Sequence, residues 1–144
     1  MERISRNQLF AEMAKLVSKR STCPKKQVGS VLIRNGRIIA IGYNGVLPGE
    51  DPMIGYNPET GETATVHAEA NLISFCARNG IKTEGCELWV TLSPCVKCAE
   101  LIIQSGIKTV IFLEPYRDTS SVKILKKQGI EVMHYTNDNF IIGW

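Results

Sequence analysis

Apolar positions along this chain follow two periods, and their alternation predicts the architecture. Over residues 5–19, Leu9, Met13, Leu16 and Val17 fall at helical spacing, and Ser-Thr-Cys-Pro at 21–24 ends that helix. Residues 28–34 and 37–43 are β-rich runs joined by Asn35-Gly36, a dipeptide suited to a two-residue hairpin turn. Residues 44–64 are rich in Gly, Pro, Asn and acidic side chains and read as loop. A structureless stretch of that length inside a compact domain is usually functional. Helical spacing returns at 67–78 and stops at Asn79-Gly80. A strand follows at 88–92, then a helix opened by Ser93-Pro94 and closed at Ser105-Gly106. A strand at 108–113, a helix at 118–127 and a strand at 130–135 complete the series; no element is assigned to 136–144.

A hairpin followed by α-β-α-β-α-β predicts an α/β protein with three layers, α/β/α. Its sheet should be mixed and five-stranded, with the hairpin at the N-terminal side and three parallel strands from the C-terminal half. The 144 residues make one domain, 1–144. In open sheets of this kind ligands sit beyond the strand C-termini, where helix N-termini point. His67 and Cys95 both fall at predicted helix starts, so two distant parts of the chain can meet at one pocket.

Composition narrows the function classes. Hydrophobic residues make up 44% of the chain, in the globular range, and no apolar run is long enough to span a bilayer. The first residues lack a signal-peptide pattern, so a cytoplasmic location, host cytoplasm for a viral protein, is expected. The net charge of +3 is weak. Lys123, Lys126 and Lys127 share helical spacing and read as a solvated face, and no basic, aromatic-interleaved groove is visible, so nucleic acid is not an expected partner. Five cysteines are an odd number, and in a reducing compartment disulfides are not expected. Cys76 and Cys86 sit among apolar neighbours and read as small core residues. Cys23, in a polar turn, is either a second-site metal ligand or a free thiol, the latter favoured.

The chemistry concentrates in His67-Ala68-Glu69 and Pro94-Cys95-Val96-Lys97-Cys98. Cys95 and Cys98 are three apart and share a helical face; with the His67 nitrogen they form an S/S/N donor set that suits zinc. Three protein ligands leave the fourth position for water, as catalytic zinc sites do. A lone C-x-x-C also fits a redox pair or half of a structural finger. No second C-x-x-C exists, and a closed structural site would need His134 or Cys23 as fourth ligand. Glu69 is not needed as a ligand and is free to move protons. The donor set and the free carboxylate imply hydrolysis, in which zinc acidifies its water and Glu69 takes the proton. The match of His-x-Glu with Pro-Cys-x-x-Cys to the zinc nucleobase deaminase pattern further implies attack on a ring carbon bearing an amino group, with Glu69 relaying the water's protons to the ring nitrogen and to the amine that leaves as ammonia.

His-x-Glu with Pro-Cys-x-x-Cys is the pattern of zinc-dependent nucleobase deaminases, and the chain resembles the deoxycytidylate (dCMP) deaminases of the cytidine deaminase-like superfamily. The resemblance rests on Arg20-Ser21-Thr22-Cys23, Gln27-Val28-Gly29-Ser30-Val31, Gly42-Tyr43-Asn44-Gly45, His67-Ala68-Glu69-Ala70-Asn71, Thr91-Leu92-Ser93-Pro94-Cys95-Val96-Lys97-Cys98-Ala99 and Gln104-Ser105-Gly106-Ile107-Lys108. It implies conversion of dCMP to dUMP, a homo-oligomer (commonly a hexamer), activation by dCTP and inhibition by dTTP. The effector would use Gly42, Tyr43, Asn44, Gly45, Gly49 and Glu50, with Arg78 facing its phosphates or a neighbouring subunit; glycines admit a ligand close to the backbone. Asn44 is the candidate for the sugar, Tyr116 for the base face or as a packed rim aromatic, and Arg20, Ser21 and Lys26 for the substrate phosphate. Many relatives carry Cys and His ligands for a second, structural zinc where this chain has residues 51–66. The run 51–62 contains neither, so a second zinc is not expected, although its acidic residues could hold magnesium with an effector triphosphate. The competing readings are another zinc deaminase, acting on tRNA adenosine, a free base or single-stranded DNA, and a non-catalytic zinc protein, against which the intact Glu69 speaks.

Overall fold

The computed structural model describes residues 2–141. Its elements are α1 (Arg6–Ser18), β1 (Gly29–Arg34), β2 (Arg37–Tyr43), α2 (Ala68–Arg78), β3 (Glu87–Leu92), α3 (Val96–Gln104), β4 (Thr109–Glu114), α4 (Ser120–Lys127), β5 (Glu131–Thr136) and β6 (Asn139–Ile141). Asn35 and Gly36 take positive φ (52° and 74°), the backbone a twisted two-residue hairpin requires, and fold β1 back on β2. The strand order is β2-β1-β3-β4-β5-β6. β1 runs antiparallel to both β2 and β3, while β3, β4 and β5 are parallel.

The sheet has six strands among the described residues rather than the expected five. β6 pairs antiparallel with β5 through a tight turn in which Asn137 and Asp138 both have positive φ (49° and 62°). A three-residue strand is too short to show a period, which is why this segment carried no assignment. The end of the unassigned stretch, 142–144, lies outside the described residues.

Helices cover both faces, as expected. On one side α1 buries Phe10, Ala11, Ala14 and Val17 against Val31, Ile33, Trp89, Ile111 and Tyr135. On the other, α2, α3 and α4 bury Leu72, Cys76, Ile102 and Leu125 against Leu32, Leu88, Val90, Val110 and Phe112. Trp89 is fully buried, with Phe10 and Tyr135 edge-on to its ring at 5.8 and 5.2 Å, a favoured aromatic geometry.

The buried stripe of α1 keeps Val17 and, at its margin, Met13 of the expected positions, but is otherwise made by Phe10, Ala11 and Ala14. Leu9 and Leu16 are 39% and 59% exposed. The helix sits too close to the sheet for them: a Cβ at Gly29 would lie 2.2 Å from the Ala14 carbonyl oxygen. Only a face with small residues can approach a strand that closely. Gly42 does the same for α2, where a Cβ would fall 2.6 Å from the Ala68 carbonyl oxygen and 2.7 Å from the Leu72 Cβ. Ser30 lies between, its hydroxyl donating to the Gly42 carbonyl at 3.0 Å or the Ala68 carbonyl at 3.2 Å. These contacts fix the start of α2, and hence His67, against the sheet.

Candidate active site

His67 and Cys95 are the N-cap residues of α2 and α3, both with extended backbone and neither using its side chain as a cap. Each carbonyl accepts the first helical hydrogen bond, from Asn71 and Ala99, at 2.9 Å. The side chains are thus rigidly placed yet free to ligate. The start of α3 falls later than Ser93-Pro94 predicted, because Ser93 still belongs to the strand end: its N–H donates to the Glu114 carbonyl at 2.9 Å.

The imidazole Nδ1 of His67 lies 3.5 Å from the Cys95 Sγ and 3.4 Å from the Cys98 Sγ, and all three donor atoms lie within 4.8 Å of one another. Zinc bonds of about 2.0–2.1 Å to nitrogen and about 2.3 Å to sulfur, at tetrahedral angles, place N and S about 3.6 Å apart. The triangle therefore fits zinc without rearrangement. It is the one such group of three among the described residues. All five cysteines are free. Burial, then the charge of Glu69, then Cys95 push the Cys98 thiol far above its ordinary range; a thiol so placed becomes a thiolate when a cation compensates it.

Glu69 is 4% exposed. Burial raises its carboxyl from 4.5 to about 7, opposed by its own backbone N–H and the Lys26 charge. A carboxyl poised there can both take and give a proton near neutrality. It faces a cavity of about 330 Å³ whose wall includes His67, Cys95, Lys26, Asn44 and Tyr116, a volume suited to a small ligand. The Lys26 ammonium sits 5.2 Å from the centroid of the Tyr116 ring, within cation–π range.

Asn44 is buried and lines the cavity, but its amide already has partners. Oδ1 accepts from the Val28 N–H at 2.8 Å and Nδ2 donates to the Lys26 carbonyl at 2.7 Å. One oxygen lone pair and one N–H remain for a ligand. Arg20 and Ser21 do not line the cavity. The Arg20 guanidinium lies 5.7 Å from the Tyr43 ring centroid, and the Ser21 hydroxyl accepts from the Cys23 N–H at 3.1 Å.

The residues named for the effector stand in different settings. The missing Cβ of Gly42 serves the packing of α2, and its backbone borders a surface depression shared with Tyr43, Asn71 and Phe75. Tyr43 carries Arg20 on its ring, and Gly45 is bridged to Val66. Gly49 (φ 84°) stands open, beside an exposed Glu50. Arg78 is exposed in the last turn of α2.

The cavity wall also contains Cys23, Glu62, Thr63 and Thr65, which sequence reasoning did not single out as pocket residues. The signal for the last three was the length of the loop after β2. Its bridges Gly45–Val66 and Asn57–Glu62 fold it back beside His67. Burial pushes the Cys23 thiol up, but backbone N–H groups of Lys26, Thr63 and Lys25 outweigh it and hold the thiol below its ordinary range. Cys23 stands outside the metal-ligating triangle.

Comparison with known proteins agrees with this geometry. The family description "Cytidine and deoxycytidylate deaminase zinc-binding region" matches residues 4–114. ComE operon protein 2 of Bacillus subtilis is 38% identical over 148 residues, covering 99% of this chain and 77% of its own. The deoxycytidylate deaminase of Enterobacteria phage T2 is 34% identical, covering 90% and 92%. The dCMP deaminase of cyanophage S-TIM5, solved with dCMP and dUMP, superposes with a TM-score of 0.80 at 31% identity, over 93% of this chain and 99% of that one. With its metal triangle and its buried carboxyl at two helix starts, the chain belongs to the family of zinc-dependent cytidine and deoxycytidylate deaminases.

Proposed function

We propose that this chain, as a single deaminase domain, converts dCMP and water to dUMP and ammonia in the cytoplasm. The observation that carries the reading is the His67–Cys95–Cys98 triangle with a buried, proton-poised Glu69 beside it, in a cavity holding one lysine. Zinc bound by His67, Cys95 and Cys98 would supply a Lewis acid and a water acidified to about neutrality. Glu69 takes one proton from the attacking water and gives it to the ring nitrogen, then takes the remaining proton of that oxygen and gives it to the departing amine, leaving a carbonyl. Burial keeps the carboxyl out of bulk solvent, so the proton stays in the site between these steps.

Lys26, the lysine of the cavity wall with its ammonium beside the Tyr116 ring, supports this reading as the cation for the nucleotide phosphate. Asn44 holds the Lys26–Val28 segment and offers its remaining donor and acceptor to a sugar hydroxyl. Arg20 and Ser21, off the cavity wall, take no part in this reading. A homo-oligomer, hexameric as in the resembled family, with dCTP activating and dTTP inhibiting, completes the proposal. Its effector site would centre on the open Gly49–Glu50 turn with Tyr43, Gly45 and Arg78, and magnesium would accompany the triphosphate.

The test is ammonia release from dCMP, cytidine, cytosine and a tRNA anticodon stem by the zinc-loaded protein, with and without dCTP or dTTP. Turnover of dCMP above the others is expected. Inactivity on dCMP under every condition refutes the substrate assignment, and rates indifferent to both triphosphates refute the regulatory one.

A further inference from the structure

The active-site cavity does not end at Lys26. A second depression, of about 350 Å³, lies on the far side of the Lys25–Val28 segment, and Lys26, Val28 and Leu92 line both. The two are therefore neighbours across one strip of chain. Their charges differ. The first carries one lysine against the carboxylates of Glu62 and Glu69. The second carries Lys15, Lys25 and Lys26 against Glu114. Lys15 is bridged to Glu12 at 3.3 Å, but both side chains are more than half exposed, and such a pair holds its charge only weakly.

The strip between the cavities is fixed. Asn44 binds it at Lys26 and Val28, its own N–H donating to the Val28 carbonyl at 3.2 Å as well, and the Lys26 N–H donates to the Cys23 Sγ at 3.3 Å. Lys26 is thus held at the junction. A nucleotide with its base beside Glu69 and its α-phosphate at Lys26 has its phosphate end directed out of a pocket with no further cation and towards a groove with two more.

We infer that the Lys15–Lys25 groove holds the β- and γ-phosphates of a nucleoside triphosphate whose base occupies the metal cavity, so the catalytic site accepts deoxycytidine nucleotides beyond the monophosphate. The inference rests on the nucleotide-deaminase reading above. The ligand class follows from charge and continuity: a chain of phosphates prolongs the 5′ end without adding a base, and the groove offers lysines rather than exposed aromatic rings for stacking.

The test uses zinc-loaded protein with dCMP as substrate and the product-type nucleotides dUMP and dUTP as inhibitors, neither of which has an amine to lose. dUTP is expected to compete with dCMP at least as well as dUMP does. Two exposed lysine–phosphate contacts are together worth about tenfold in affinity. The double variant K15A/K25A should therefore raise the inhibition constant of dUTP about tenfold and change that of dUMP and the KM for dCMP less than twofold. Four results would overturn the inference: dUTP tenfold weaker than dUMP, inhibition that saturating dCMP does not relieve, indifference of dUTP to the double substitution, or an oligodeoxycytidylate that competes as well as dUTP and loses as much in the variant. The last would make the groove a nucleic-acid path. Failure of the parent protein to turn over dCMP would instead remove the reading on which the inference rests.

Discussion

Replacing Glu69 with Gln should raise stability and abolish turnover together. Burial holds the Glu69 carboxyl at about 7 against an ordinary 4.5. At about 1.4 kcal/mol per tenfold, ionising it within the fold costs roughly 3 kcal/mol more than ionising it in water. Because the folded-state value is the higher one, the folded protein keeps the proton between the two. Below pH 4.5 both states are protonated and the group costs nothing. As pH rises through the window from 4.5 to 7 the native state loses stability, and above 7 the whole penalty is present. Gln is nearly isosteric with the neutral acid and escapes it. In urea titrations of chelator-stripped protein, Glu69→Gln should match the parent at pH 4 and exceed it by about 3 kcal/mol at pH 8. In zinc-loaded protein the same change should leave metal content intact and reduce kcat by about 10²–10⁴-fold. Parallel stability curves for the two proteins across this pH range would show that the carboxyl is not buried as described. Near-normal turnover with zinc bound would remove Glu69 from proton transfer.

Other changes probe other levels of the structure. Cys98→Ser should lower zinc content measured by atomic absorption and eliminate activity, since one donor of three is lost. Gly42→Ala should lower the urea midpoint by an amount equivalent to about 1–3 kcal/mol, the usual cost of overpacking, because its Cβ meets a carbonyl oxygen at 2.6 Å. Lys26→Ala should raise the KM for dCMP about tenfold with a smaller effect on deoxycytidine, as expected for a charged contact with a phosphate; an equal effect on both would place Lys26 away from the phosphate.

The metal triangle was legible because its ligands are tied to local structure. His67 and Cys95 stand at helix caps, where sequence signals are strongest, and Cys98 follows from helical periodicity. The hairpin was legible for the same reason, since Asn35-Gly36 names its own turn. Contacts across the fold were not. The α1 stripe was partly displaced because Gly29 draws in the face of Ala11 and Ala14, a consequence of what the helix meets rather than of its own pattern. Gly42 reads identically in sequence whether it admits a ligand or a helix, and only packing decides. Asn44 likewise has a local signal as a polar residue in a glycine turn, but its partners at positions 26 and 28 are set by the tertiary path of the chain. Arg20 and Ser21 lie in an irregular segment, where no period indicates side-chain direction.

The spacing of the metal donors has a consequence for how much of this protein a cell would contain. His67 and Cys95 are 28 positions apart, so an ion held between them staples a loop closed, and in a chain-entropy account a closure of that size disfavours the unfolded ensemble by roughly 3.5 kcal/mol. That is a large fraction of what a domain of this size ordinarily commands. Starvation for zinc would then be felt first as degradation of the polypeptide, with abundance tracking metal supply.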